Sequence, residues 1–307
     1  GLTALSRGFP PAVLCHPERH DWSAWGFHQY LARPYAWMCE RLVQPGIQLL
    51  AFDIFDTLLV RPLLDAETTK RLVARHLDDD AGRLYLQYRA AAESRARQQA
   101  GRDIGMDEIY AELAVLSGRP AADVQTWRTL EERLEQASVT ARPEALALYR
   151  QALDSGKPVV LISDMFLPRP LIEAMLRQHG FDRWDQLFLS GEIGVRKDSG
   201  QLYEHVLQHY ALQPAELLMI GDNERSDLQV PADLGCQTLH ILRPVEFARG
   251  LPRLRPLIEA TEQADDLDAE LTLGLILRRH YTALDWPDFD PASLFPPNPY
   301  NLGYSLV

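Results

Sequence analysis

Two rhythms of hydrophobic positions alternate along the chain. Gln48 to Ile54 is a short, mostly apolar run, the pattern of a buried strand. From Asp65 to about Thr140, Leu72, Leu77, Leu84, Tyr88, Ile109, Leu113, Trp127, Leu130 and Leu134 recur at helical spacing. Gly101, Gly105 and Gly118-Arg119-Pro120 divide that stretch into three or four helices. After Pro143 the pattern becomes strand–helix alternation. Strands are predicted at 158–162, 186–189, 216–220 and 238–242. Helices are predicted at 144–153, from Pro170 onward, at 201–210 and from about Ser226 to Leu234. This alternation predicts an α/β fold with a mostly parallel sheet covered on both faces, into which the helical stretch is inserted after the first strand.

The flanks read differently. Trp22, Trp25, Tyr30, Trp37 and Leu42 suggest helical packing that ends near Pro45-Gly46, and residues beyond Pro244 predict a long helical region to about Ala283. Pro287, Pro291, Pro296, Pro297 and Pro299 lie among Trp286, Phe289, Phe295 and Tyr300, the composition of a linker or of an arm that packs its aromatics on a neighbour. Gly1 is not an initiating methionine and the chain stops at Gly303-Tyr304-Ser305-Leu306-Val307, so a longer polypeptide is expected. There is no internal repeat.

Composition narrows the function. The 307 residues carry 31 Lys+Arg against 43 Asp+Glu, a formal net charge of -12, which opposes generic binding to nucleic acid or to an anionic membrane. An anionic small substrate stays open, because a metal ion or a lysine inverts the potential inside one cleft. Cys15, Cys39 and Cys236 are far apart and read as reduced thiols in a cytoplasmic setting. No window approaches the ~18 apolar residues of a membrane span, and no signal-peptide pattern opens the chain.

Candidate chemistry sits just after four predicted strands, where ligands bind in parallel α/β sheets. These sites are Phe52-Asp53-Ile54-Phe55-Asp56-Thr57-Leu58-Leu59, then Leu161-Ile162-Ser163-Asp164-Met165, then Lys197 within Gly194-Val195-Arg196-Lys197-Asp198, then Ile220-Gly221-Asp222-Asn223-Glu224-Arg225-Ser226-Asp227. Any one of these aspartates also reads as a helix cap or turn former.

Taken together and in this order, from Phe52 to Gly235, they resemble the haloacid dehalogenase superfamily of hydrolases and phosphotransferases. The resemblance implies a Rossmann-like core over 47–64 and 141–245, and a helical cap over 65–140. The segments 1–46 and 246–307 are then helical extensions. It implies Asp53 as nucleophile and Mg2+ ligand, with the Phe55 carbonyl and Asp222 as further ligands, and Asp227 holding metal-bound water or orienting Lys197. It also implies that the Ser163 hydroxyl holds phosphoryl oxygens and that Lys197 neutralises the transferring group. The chemistry fits these residue types: a carboxylate attacks phosphorus to give an aspartyl-phosphate, and two anions that meet require a cation.

One departure matters. Phosphatases of the superfamily usually carry a second Asp two residues after the nucleophile as general acid and base, and here that position is Phe55. Asp56 follows, where the family often has Gly, and Thr57 falls at its usual Thr. A bulky residue at this position resembles the dehalogenase branch, yet Asp222 and Asp227 preserve a double-acid metal site that dehalogenation does not need. Phosphoryl transfer is therefore ranked first. A catalytically weak binding or scaffolding domain and a carbon–halogen hydrolase are the alternatives, and Asp56 is the candidate substitute acid/base.

The opening Phe-Asp-Ile-Phe-Asp-Thr-Leu-Leu-Val-Arg-Pro, the later Ser-Asp-Met-Phe-Leu-Pro and the ending Asn298-Pro299-Tyr300-Asn301-Leu302-Gly303-Tyr304 resemble one subgroup, hydrolase-like domains associated with bacterial surface-polysaccharide glycosyltransferases. That likeness implies a cytoplasmic role on a phosphorylated sugar or glycan, with a glycosyltransferase domain in the same chain or complex.

Other residues are open to two readings. Arg89, Glu93 and Arg97 share a helix face, either as a solvated ion-pair stripe or with Arg89 recognising substrate over the site. Thr57, Asp164 and Arg196 are further candidates for substrate contact. His16 and His20 read as surface histidines rather than metal ligands. Trp22, Trp25 and Trp37 read as packing residues more than a sugar platform.

Overall fold

The computed structural model describes residue 30 and residues 33–286. The elements run in chain order as follows. Helix α1 (Tyr35–Val43) is followed by β1 (Leu49–Phe52) and β2 (Leu59–Val60). Four helices come next: α2 (Thr68–Arg75), α3 (Asp79–Ala100), α4 (Met106–Ser117) and α5 (Ala121–Ser138). The chain continues through β3 (Thr140–Ala141), α6 (Pro143–Asp154), β4 (Val159–Ser163), α7 (Arg169–Gln178), β5 (Gln186–Leu189), α8 (Ser190–Ile193) and α9 (Gln201–Tyr210). It closes with β6 (Leu217–Gly221), α10 (Val230–Asp233), β7 (Gln237–His240), α11 (Pro244–Arg249), α12 (Arg255–Ala264) and α13 (Leu267–His280).

Five strands form one sheet in the order β5-β4-β1-β6-β7, and every neighbouring pair is parallel. Alternation along each strand divides the apolar residues between two faces. Leu50, Phe52, Leu161 and Ile220 pack with Leu42, Leu148 and Ile172 on one side, while Leu49, Ala51, Val160 and Met219 pack with Leu202, Tyr203 and Val206 on the other. Both faces are buried, which is why these strands read as continuous apolar runs. The sheet order puts β1 at the centre, so its carboxyl end is flanked by those of β4 and β6.

The helical insertion leaves and rejoins through a short antiparallel pair, Leu59 opposite Ala141 and Val60 opposite Thr140. Between them α2 to α5 pack by Tyr85, Ile109, Leu113, Val124 and Trp127. In α3 the buried positions are Ala81, Tyr85, Arg89, Ala92 and Ala96, rotated from the expected Leu84 and Tyr88, and Leu86 is exposed. The inward face of this helix therefore carries a charge. Asp78 caps α3, its carboxylate accepting from the Ala81 N–H at 2.9 Å.

A second apolar cluster joins α11 and α13 to Tyr30, Leu64 and Leu242, with Trp286 stacked on Phe247 at 4.2 Å between ring centroids. The expected single helical region after Pro244 is three helices, interrupted at Gly250 and Asp265. Gly274 lies where α13 crosses the chain at Pro62 so closely that a Cβ would overlap the Pro62 carbonyl. Fully buried Arg142 fastens this region to the insertion's exit, donating to the carbonyls of Thr282 (2.6 Å), Leu242 (2.7 Å) and Ala283 (3.3 Å).

His16, His20, Trp22, Trp25, Cys15 and the proline–aromatic stretch after Trp286 lie outside the described residues. Trp37 is partly buried against the main core. Cys39 and Cys236 are free thiols. Among the described residues no helix is long and apolar enough to cross a membrane.

Candidate active site

The carboxyl ends of β1, β4 and β6 and the loop after β5 converge on a cavity of about 320 Å3. Asp53, Phe55, Asp56, Ser163, Asp164, Arg196, Lys197, Asp222 and Asp227 line it. The four sequence-predicted loops are thus brought together.

Asp53 directly follows β1, and its N–H donates to the Ile220 carbonyl at 2.9 Å, extending the ladder to β6. Lys197 Nζ donates to Asp53 Oδ1 and to Asp227 Oδ1, each at 2.6 Å. Of the two roles implied for Asp227, the observed contact is the one to Lys197. Behind the lysine, the Asp164 carboxylate accepts from the Lys197 backbone N–H at 2.8 Å. Burial opposes the lysine charge, but the carboxylates of Asp227, Asp53 and Asp164 outweigh it and raise the Lys197 pKa.

Local backbone explains how the last loop works. Asn223 accepts from the Arg225 and Ser226 N–H groups at 3.1 and 2.9 Å and opens a wide π-helical turn over Glu224–Gln229. A plain helix was expected from Ser226. The wide turn brings the Asp227 carboxylate back under β6, where Oδ2 accepts from the Asn223 N–H at 3.1 Å. A Cβ on Gly221 would overlap that carboxylate, so only glycine ends this strand compatibly.

Asp53, Asp222 and Asp227 form one acidic cluster whose ligand oxygens all lie within 4.8 Å of one another. Burial pushes the Asp53 carboxyl up to about 7, Lys197 opposing and Asp227 adding to the rise. Burial and the charges of Asp53, Asp56 and Asp227 raise Asp222 well above the carboxylate range. Three crowded carboxylates with one lysine among them are under-neutralised, and an all-oxygen donor set suits a hard divalent cation such as Mg2+. The residues fit that ion. His240 is fully buried, and burial with the Arg33 charge lowers its pKa to about 3. Its Nε2 lies 3.0 Å from the Asp222 carbonyl, which can only accept, so the neutral Nε2–H tautomer holds the Asp222 loop.

Several expectations change. Thr57 was a candidate for substrate contact. It is fully buried, with Oγ1 3.2 Å from both Asp53 Oδ2 and Asp222 Oδ1, and spaces the two acids instead. Arg89 does not line the cavity. It is fully buried, donating through Nε and Nη2 to Glu131 at 3.0 and 2.8 Å and through Nη1 to Glu93 at 2.9 Å. Neither direct substrate recognition nor a solvated stripe describes it, because α3 turns this face inward. Arg97, two turns on, does line the cavity.

Asp56 adopts φ +63°, which explains the family's frequent glycine there. Its Oδ2 accepts from Arg61 Nη2 at 2.8 Å. Burial alone would raise its carboxyl, but the Arg61 and Arg243 charges prevail and hold it below the usual range. An acid held ionised cannot protonate a leaving group near neutral pH. Ser163 is buried at the end of β4 and faces the cavity. Arg196 is partly exposed and bonded to Asp198 at 3.1 Å.

Sequence reasoning missed Arg61, Arg243 and Glu135, which also line the cavity. Arg243 follows β7, so the strand-end rule applied to the fifth strand would have found it. Arg61 and Glu135 enter through the insertion and its stem, where helical spacing marks packing rather than chemistry.

A parallel sheet that gathers a carboxylate, a lysine and an acidic cluster at its carboxyl edge is the arrangement of a hydrolase with an α/β fold. A family model described as haloacid dehalogenase-like hydrolase matches residues 47–235, and the chain belongs to that family. Among curated proteins it is similar to a sesquiterpene phosphatase of Aspergillus oryzae, 25% identical over 138 residues, 44% of this chain. The match spans 66% of that relative's length, just under two thirds. Among solved structures it is similar to a haloacid dehalogenase-like family hydrolase from Xanthomonas campestris, with 21% identity and a TM-score of 0.46. That match covers 72% of this chain and 95% of the other. It is also similar to an L-2-haloacid dehalogenase, with 24% identity and a TM-score of 0.45 over 66% of this chain and 87% of that one.

Proposed function

We propose that the protein is a Mg2+-dependent phosphatase or phosphotransferase that works through an aspartyl-phosphate on Asp53. The observation that carries this reading is the Asp53–Asp222–Asp227 cluster with Lys197 bridging two of its members. Asp53, the Phe55 carbonyl, Asp222 and Asp227 would hold Mg2+, whose charge screens the approaching phosphate and supports the displacement. Asp53 attacks phosphorus. Lys197 and the Ser163 hydroxyl bind the phosphoryl oxygens, and Asp164 keeps the Lys197 loop in place. Asp164 and Arg196 also line the cavity, and an anionic group of the substrate would draw Arg196 from its surface pairing with Asp198. The named activity of the Aspergillus relative supports phosphate-ester chemistry.

The substrate in this reading is a phosphorylated sugar or glycan intermediate, handled in the cytoplasm beside a glycosyltransferase domain of the same chain or complex. The charged and hydrogen-bonding lining of the cavity favours a hydroxylated leaving group over an apolar one. A second reading has a specific observation behind it. With Phe55 at the usual acid/base position and Asp56 held ionised by Arg61, general-acid help worth roughly 10²–10⁴-fold is lacking there, which favours slow turnover or a binding role. Dehalogenation, the third alternative, gives the acidic cluster no work.

The test is phosphate release from an aryl phosphate and a sugar-phosphate panel with Mg2+ or EDTA. Release that needs Mg2+ and disappears in Asp53→Asn supports the first reading. Metal binding without turnover favours the second, and metal-independent halide release from a 2-haloacid favours the third.

A further inference from the structure

Three buried polar side chains from the insertion and its stem line the same cavity. Arg61 sits in the stem just after β2, Thr69 in the first turn of α2 and Glu135 in the last turn of α5. Thr69 is 3% exposed, Glu135 5%, and the Arg61 side chain 8%. Arg61 Nε, Thr69 Oγ1 and Glu135 Oε2 find no hydrogen-bond partner among the described residues. Arg61 Nη1 stands 3.8 Å from Glu135 Oε2, an ion pair too long for a hydrogen bond. The Thr69 hydroxyl lies close enough to the same carboxylate to favour its ionised form, though no bond of ordinary geometry joins them.

Buried polar atoms left unsatisfied are costly and uncommon, and three of them on side chains that line one cavity point to a ligand there. The set offers a fixed donor, a hydroxyl that both donates and accepts, and a carboxylate acceptor. A hydroxyl group both donates and accepts, so two neighbouring hydroxyls can take from Arg61, give to Glu135 and pair with Thr69. An apolar chain satisfies none of them. A second phosphate would oppose Glu135.

We propose that Arg61, Thr69 and Glu135 form a specificity subsite that binds vicinal hydroxyls on the leaving group of the phosphate ester. The subsite rests on the phosphatase reading for its role in turnover but not for its binding. Arg61 is also a positioning residue for Asp56, so the test uses the other two. Thr69→Val keeps shape and Glu135→Gln keeps size, and thermal unfolding verifies that each variant is folded.

Two arms separate the claims. With hexose 1-phosphate, hexose 6-phosphate and pentose 5-phosphate, each variant lowers kcat/KM by about tenfold or more for the preferred ester. Its kcat/KM for p-nitrophenyl phosphate stays within about twofold. Equal losses on both substrates, or none on either, overturn the subsite. The second arm measures calorimetric binding of the same sugar phosphates to the Asp53→Asn protein with Mg2+, with inorganic phosphate and octyl phosphate as comparators. Tighter binding of a sugar phosphate that is lost in Glu135→Gln supports the subsite even if no ester is turned over, an outcome that sinks only the phosphatase reading. No sugar phosphate binding better than inorganic phosphate overturns the subsite.

Discussion

Replacing Arg89 by Met should cost folding stability and leave substrate affinity alone. The guanidinium is fully buried and makes three charged hydrogen bonds, two to Glu131 and one to Glu93. Glu131 is itself 1% exposed and also accepts from the Tyr85 hydroxyl at 2.6 Å and from the Tyr110 hydroxyl. Methionine fills much of the arginine stem's volume, so the main loss is the cation, which leaves an ionised carboxylate buried without its counter-charge. Breaking one side of such a pair costs about 3–5 kcal/mol. The two tyrosine hydroxyls remain with Glu131, which places this case near the lower end, about 3 kcal/mol. For a domain of this size that corresponds to a fall in Tm of roughly 6–12 °C. The double variant Arg89→Met with Glu131→Gln removes the stranded charge while keeping an acceptor for both tyrosines, and most of the loss should return. Thermal unfolding followed by circular dichroism gives the stability, and phosphate release at 20 °C gives KM. An unchanged Tm with KM raised severalfold would refute the reasoning and restore Arg89 to the substrate.

Other perturbations test other parts. Asp53→Asn should abolish turnover yet not lower the Tm measured in EDTA, because it removes one of three crowded carboxylates; a loss of stability in EDTA would contradict the charge argument. The pH dependence has a definite sign. Folded Asp53 titrates near 7 instead of 3.8, so between those values the folded chain keeps a proton that the unfolded chain releases, and metal-free stability falls as pH rises through that window. Mg2+ needs the ionised acids, so the rise in Tm on adding Mg2+ should be larger at pH 8 than at pH 5, and an equal rise at both would argue against binding at this cluster. Gly274→Ala should cost about 1–3 kcal/mol in urea unfolding through overlap with the Pro62 carbonyl; a neutral result would mean α13 shifts freely there.

How much of this was legible in the sequence depended on which physics wrote the residue. The five sheet strands lie within two residues of their predicted ends, because burial on both faces leaves uninterrupted apolar runs such as Leu49–Phe52 and Val159–Ile162. The residues after those strands were equally readable, since a parallel sheet collects its strand ends at one edge. The insertion was readable as helices but not as faces. Tyr85, Arg89, Ala92 and Ala96 bury a charge and two small residues on a 22-residue helix, so hydrophobicity there no longer points inward. Arg61, Glu135 and Arg243 were invisible for a related reason. Each owes its place to packing between segments separated by up to about 180 positions, and a lone Arg or Glu carries no local mark of that.

The turn at Asp56 shows how a one-residue departure changes chemistry without disturbing the scaffold. Thr57 still reaches both acids and Asp53 still completes the sheet ladder, so Asp53 and the acidic cluster are placed as the parallel sheet requires. Only the position between them is altered. Phe55 is 6% exposed and lies under the Arg61 guanidinium, 5.2 Å from it, while Asp56 enters the left-handed region and is paired with the same arginine. Arg61 therefore couples the turn to the insertion, since its other side faces Glu135. If a substrate hydroxyl engages Arg61 as proposed, it would weaken the pairing that keeps Asp56 ionised, and leaving-group recognition and proton transfer would then share one side chain. Turnover of unsubstituted aryl esters should then underestimate activity on a hydroxylated substrate. A screen confined to aryl phosphates would mistake selectivity for inactivity.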